Sequence, residues 1–195
     1  MASTRVRQVV TLKRAEGFSL LELMITISIL MISLLIVIPS MQKLIQTNKL
    51  TTTANELQLA LTFARMEAIK QNRNILFCHS SDGTRCSAAS SVGWSGWLVR
   101  AQGASLGNEV GPVLRTGMLN ASNLTISAGQ ALAAGSDAIL ISSTGQLRRI
   151  SDRQPLTDWL QVCAKQSGMP ENIRQLQFRS NGRLSMVKVN GGGTC

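Results

Sequence analysis

Gly17-Phe18-Ser19-Leu20-Leu21-Glu22-Leu23 opens an apolar run that continues to Ile38, and the fold follows from how that run is read. From Phe18 to Ile38 almost every residue is apolar, Glu22 is the only charge, and Pro39 closes the run. A helix needs about 20 apolar residues to span a bilayer, so the stretch is long enough. Arg5, Arg7, Lys13 and Arg14 precede it. The bias of basic residues towards the cytoplasmic side holds the N-terminus there and sends the remainder across. A charge at the bilayer centre costs roughly 2.5–3.5 kcal/mol, so a carboxylate in this run needs a reason. Two readings are open: a signal anchor whose glutamate snorkels to the headgroups, or an acid kept for a partner. A secretory signal peptide fits less well. It would place a small-residue cleavage site after the apolar run, and Ile36-Val37-Ile38-Pro39-Ser40-Met41 has none.

The order of residues narrows the choice. A short basic leader, Gly17, Phe18, a glutamate four residues further on and then the apolar helix resemble the class III signal of type IV pilins and pseudopilins. The resemblance implies cleavage after Gly17 by a prepilin peptidase, N-methylation of Phe18, and pairing of Glu22 with the N-terminal amine of a neighbouring subunit. The chain then divides into a cleaved leader (1–17), a transmembrane and assembly helix (18–43) and a periplasmic globular domain (44–195) that includes the second half of the long helix. The localisation implied is a single pass through the inner membrane, N-terminus cytoplasmic, and afterwards the filament.

With 195 residues, the chain has room for one compact domain after that helix. The net charge is +10, and removing a leader with four basic residues and one acid leaves +7 on the exported part. Such a surface suits nucleic acid, anionic lipid or acidic partner subunits, and equally a soluble basic exterior. Cys78, Cys86, Cys163 and Cys195 all lie beyond the apolar run, hence in an oxidising compartment under this orientation, and two disulfides are expected. Of the three connectivities, Cys78–Cys86 closing a local loop with Cys163–Cys195 tying down the C-terminal end is favoured. A zinc site is the alternative, but no pair has C-x-x-C spacing and the single histidine, His79, adjoins Cys78. No metal or cofactor is expected.

Past Pro39, Leu50, Ala54, Leu57, Leu61, Ala64 and Ala68 recur at steps of four and three, on one face of a helix. The helix is expected to run from Phe18 to about Arg73, on the order of 80 Å at 1.5 Å per residue, with Pro39 as a kink or local break. Short strands follow at Ile75–Cys78, Trp97–Val99, Leu124–Ile126, Ile139–Ile141, Trp159–Val162, Leu176–Phe178 and Leu184–Val189. Ser143-Thr144-Gly145-Gln146-Leu147 and Ser180-Asn181-Gly182-Arg183-Leu184 share a Ser-x-Gly-x-Leu pattern and read as two similar turns. Exposed loops are expected from Ser80 to Ser95 and from Ala101 to Gly111, where Gly, Ser and Ala dominate.

Asn55-Glu56-Leu57, Ala64-Arg65-Met66-Glu67-Ala68-Ile69, Leu76-Phe77-Cys78, Gly96-Trp97-Leu98-Val99, Val162-Cys163 and Asn181-Gly182-Arg183 are similar, in this order, to the landmarks of the GspH/FimT family of minor pilins and pseudopilins. The similarity spans nearly the whole mature chain. It implies an α+β fold, a long N-terminal helix packed on an antiparallel β-sheet domain. The stretch from Asn55 to Cys78 is more like the FimT and FimU minor pilins of type IV pili than the secretion-system pseudopilin. Some FimT proteins bind DNA in natural transformation, and the motif linked to this is a C-terminal Gly-Arg-x-Arg. Here Gly182-Arg183-Leu184-Ser185 lacks the second arginine. Arg148, Arg149, Arg179 and Lys188 join Arg183 as candidate DNA contacts, drawn from two hairpins, because Arg183 and Ser185 share one strand face and Leu184, Met186 and Lys188 the other. Arg65, on the long helix, is expected to face solvent or neighbouring subunits.

Nothing in the sequence supports catalysis. There is no Gly-rich phosphate loop, and the nine acids of the mature chain are scattered with no close pair outside the helix. The chain reads as a substrate of the peptidase and as a structural subunit, a minor pilin incorporated at or near the tip of a type IV pilus to prime assembly. The alternatives are a pseudopilus tip subunit of a type II protein secretion system and a DNA-binding minor pilin. Its partners would be the peptidase, other pilin or pseudopilin subunits, the inner membrane and, weakly and non-specifically, DNA.

Overall fold

The apolar run and the amphipathic repeat behind it form one helix, α1 (Leu20–Lys70), and Pro39 lies inside it without interrupting it. A proline there forfeits one backbone hydrogen bond and crowds the preceding turn, at about 3 kcal/mol, and of the kink or local break expected at this point the break does not occur. The structure, a computed structural model, describes residues 17–90, 93–103, 111–119, 123–165 and 168–195. The leader before Gly17 and most of the Ala101 to Gly111 loop lie outside the described residues.

The chain divides into two units, Met1–Met41 and Gln42–Cys195. In the first, every described residue is exposed. By length and composition, α1 is the one helix among the described residues suited to cross a membrane.

In the second unit the helix has a buried face, made of Gln46, Leu50, Ala54, Leu57, Ala60, Leu61, Ala64 and Ala68. Four of these are alanines, which lets the backbone lie close to whatever covers it. Two antiparallel sheets do so. The first has the order β3-β2-β1-β5-β6, built from β1 (Ile75–His79), β2 (Gly96–Ala101), β3 (Val113–Met118), β5 (Ala138–Ile141) and β6 (Leu147–Arg149). The second has the order β4-β7-β8-β9, built from β4 (Leu124–Ala128), β7 (Asp158–Ala164), β8 (Ile173–Phe178) and β9 (Leu184–Val189). A short helix, α2 (Gln130–Ala134), joins β4 to β5, its Leu132 N–H donating to Asp158 Oδ2 at 2.7 Å.

Strand alternation sorts the side chains. Ile75, Phe77, Val99, Ile139 and Ile141 enter one core with the helix face and with Leu160, Val162, Leu176 and Phe178 of the second sheet. Leu76, Cys78, Leu98 and Ala138 form a smaller cluster with partly buried Cys86 and Ile150. Strand β1 is therefore buried on both faces, which is why it reads as an uninterrupted apolar run.

Three elements were not expected from sequence. Strand β3 is a mostly exposed sheet edge, Val-Leu-Arg-Thr-Gly-Met, without clean alternation of apolar residues. Strand β6 has only three residues, and α2 only five. Trp94 and Trp97, expected to cover the core beside a loop, are 2% and 3% exposed, and Trp94 Nε1 donates to Asp137 Oδ1 at 3.1 Å.

Candidate functional site

At the head of α1, the Ser19 hydroxyl accepts the Glu22 N–H at 3.2 Å. Serine three residues before glutamate at a helix start is a capping arrangement, and sequence reasoning passed over it. The acid also lies in the first turn, where the helix dipole favours negative charge. Phe18 precedes this cap and is 85% exposed. The N-terminal stretch thus carries, at a capped helix start, one carboxylate whose oxygens have no bonded partner among the described residues.

The cysteines pair as Cys78–Cys86 and Cys163–Cys195, closing separations of 8 and 32 residues. In the shorter loop Asp82 is the organiser. Its oxygens accept the Thr84 hydroxyl at 2.7 Å and the Thr84 and Arg85 N–H groups at 2.8 and 3.0 Å, and these bonds hold its carboxyl far below the usual carboxylate range. His79 is buried, its Nδ1 2.9 Å from Ser87 O and its Nε2 3.2 Å from the Ser95 hydroxyl. Among the described residues no group of His, Cys, Asp and Glu side chains is arranged to hold a metal.

The two Ser-x-Gly-x-Leu segments form equivalent turns. Gly145 N–H donates to Ser142 O and Gly182 N–H to Arg179 O, both at 2.8 Å, and both glycines have positive φ, 78° and 82°. A type I turn followed by a left-handed glycine closes a hairpin in this way. The turns touch: Leu147 N–H donates to Ser180 O at 2.8 Å. Arg65 reaches them from α1, its Nη1 donating to Gly182 O at 3.0 Å and its Nη2 to Asn181 O at 3.4 Å. A Cβ on Gly182 would stand 2.6 Å from both Arg65 Cζ and Gly145 O, so glycine is required there. Arg65 was expected to face solvent or neighbouring subunits and instead bonds to the β8–β9 turn, beside Gly145 of the other.

The five basic candidates are divided by this geometry. Arg179 and Arg183 are exposed and flank the β8–β9 turn. Arg148, on β6, donates to Arg153 O at 2.9 Å and to Gln146 Oε1 at 2.7 Å. Arg149 pairs with Asp152 at 2.7 Å and Lys188 with Glu171 at 3.2 Å, so each brings an acid with it.

A 51-residue helix whose later half packs on two antiparallel sheets defines the class of pilin-like proteins. The family model described as Type II transport protein GspH matches residues 53–193, and the chain belongs to this family. The model of the prokaryotic N-terminal methylation motif matches residues 12–38. The chain is similar in structure to the type IV minor pilin FimU of Pseudomonas aeruginosa, with a TM-score of 0.52 and 23% identity, over 72% of this chain and 90% of that one. It is also similar to the minor pseudopilin EpsH of the type 2 secretion system of Vibrio cholerae, with a TM-score of 0.48 and 12% identity, over 72% and 97% of the two chains. None of the curated proteins compared matches it.

Proposed function

We propose that this minor pilin or pseudopilin is cut after Gly17 by a prepilin peptidase, methylated on Phe18, held in the inner membrane by the helix of residues 18–43, and incorporated at or near the tip of a type IV pilus, where it primes assembly. The domain of residues 44–195 is then periplasmic. The observation that carries this reading is the head of α1: Phe18 exposed, Ser19 capping, and the Glu22 carboxylate without a bonded partner among the described residues. Cleavage would create an amine next to the positive end of a helix dipole, a position that calls for a neighbouring anion. Glu22 of an adjacent subunit is an anion at the matching depth.

Gly17→Val and Glu22→Val test the reading separately. The first should leave the leader attached, as read by intact mass of membrane-extracted protein, because a β-branched side chain obstructs close approach of a protease to the backbone. The second should still insert, since removal of a charge eases insertion, yet cross-link poorly to neighbouring subunits. A Gly17→Val protein that begins at Phe18, or undiminished cross-linking of Glu22→Val, would refute it. Loss of pili, as opposed to loss of secreted enzymes, on deletion of the gene distinguishes a pilus subunit from a pseudopilus tip subunit of type II secretion.

Weak, sequence-independent DNA binding is a second reading, supported by one observation. The bond from Leu147 to Ser180 brings the two turns together, and with them Arg148, Arg179 and Arg183.

A further inference from the structure

Two asparagines in this chain precede glycine, Asn181 and Asn190. An Asn-Gly step is prone to deamidation without any enzyme. The glycine nitrogen attacks the asparagine Cγ, ammonia leaves with the proton from that nitrogen, and water opens the cyclic imide to aspartate or isoaspartate. Attack requires the glycine N–H to be free. In this structure both are engaged, by different means.

Gly182 donates to Arg179 O inside the β8–β9 turn and is buried against Arg65. That turn is part of a sheet and depends on no cross-link. Gly191 instead donates to Oδ1 of Asn172, at 2.8 Å. Asn172 is fully buried, at 0% exposure, and its Nδ2 donates to Ala164 O at 3.0 Å and Thr194 O at 2.8 Å. Thr194 closes the ring, its N–H and hydroxyl donating to Gly191 O at 3.1 and 2.7 Å. The next residue is Cys195, bridged to Cys163. Meanwhile Asn190 is exposed, and its Oδ1 accepts the Gly192 N–H at 2.9 Å, which polarises the carbon that would be attacked. The electrophile is prepared and the nucleophile is withheld.

We propose that Asn190-Gly191 is a deamidation site held shut by the Cys163–Cys195 bridge, acting through Thr194 and Asn172. A dithiol reductant that opens the bridge is itself oxidised to a disulfide, and the two cysteines become thiols. The tail beyond Val189 then comes off Asn172, the Gly191 N–H loses its buried acceptor, and imide formation follows. The product carries a new negative charge beside the C-terminus.

The test uses full-length protein in detergent, oxidised or dithiol-treated, held at mildly alkaline pH. It is then digested, and the peptides containing Asn181 and Asn190 are resolved by mass spectrometry and chromatography into asparagine, aspartate and isoaspartate forms. Opening the bridge should speed conversion at Asn190 about tenfold or more, equivalent to a restraint of ~1.4 kcal/mol, and leave Asn181 unchanged. The double variant Cys163→Ser, Cys195→Ser, which keeps Cys78–Cys86, should do the same without reductant, and Asn172→Ala should do so with the bridge intact. Equal rates at Asn190 with the bridge closed and open would overturn the proposal, as would Asn181 and Asn190 converting together in the double variant.

Discussion

Arg65 holds the β8–β9 turn by two hydrogen bonds and lies beside Gly145 of the other turn, so its removal should be felt first at the β8–β9 turn. Arg65→Ala leaves the part-buried Gly182 carbonyl without its donor, a loss of about 1 kcal/mol, while the exposed Asn181 carbonyl turns to water. Thermal melts of the full-length protein in detergent would measure it. Arg65→Lys should restore little, because a single ammonium does not reproduce the planar fork that meets two carbonyls. Asp82 lends itself to a test by pH. Its carboxyl is held low in the folded state, chiefly by the Thr84 hydroxyl, then by the Thr84 and Arg85 N–H groups. The folded protein therefore binds fewer protons than the unfolded one, and this stabilisation is complete above the ordinary Asp value of about 3.9 and is lost progressively below it, as the pH falls through the lower folded value. Asp82→Asn should lower the melting temperature at neutral pH, with the gap to the parent narrowing in acid. A gap that stays constant with pH would refute the role. Neither residue declares its function in sequence. Arg65 bonds across a separation of 117 residues, which leaves no local trace, and Asp82 sits in a serine- and glycine-rich segment that reads only as loop.

The elements were legible where a period repeats many times. Leu50 to Ala68 keep helical spacing over five turns, and those positions are buried. Seven strand-like runs are rich in β-branched and aromatic residues, and each corresponds to a strand. Strands β3 and β6 escaped because an exposed edge and a three-residue strand carry too few apolar positions to establish a period of two. A break at Pro39, the stronger of the two outcomes that local chemistry suggests, does not form, because helical bonding on either side outweighs the lost hydrogen bond. Loss of a disulfide should depend on which element it ties. Cys195→Ser opens a 32-residue separation and Cys86→Ser one of 8, so in the chain-entropy account the first should cost about 1 kcal/mol more. Melts of the two variants under non-reducing conditions decide the order. The same ranking follows from what each closure holds, since the tail before Cys195 is bonded to buried Asn172, and the shorter loop is also fastened by Asp82.

At the scale of the whole molecule the basic excess of residues 18–195 is divided by ion pairs. Arg149 and Lys188 each neutralise an acid, and Arg179 and Arg183 at the joined turns are left exposed. Any affinity for duplex DNA should come from counterion release, with log K falling against log salt by about 0.9 per phosphate contact. Arg183→Ala should flatten that slope by roughly one unit, Lys188→Ala should change it little, and Ser185→Arg should steepen it. Gel shifts at two salt concentrations suffice, and no shift from the parent or from Ser185→Arg removes DNA from the partners. Arg65→Ala is a poor control for such a series, because it disturbs the turns that present the arginines. The joined turns also bear on mechanics. Within the domain, the helix reaches the first sheet by chain through Asn72 and β1, and the second only by packing and side-chain bonds. Arg65 and the Leu147–Ser180 bond make the far ends of both sheets one attachment point for the helix. A pull on the helix is then borne in parallel by both sheets and not passed to β1 alone, so Arg65→Ala should unfold at a lower force under an optical trap, with β1 peeling away first.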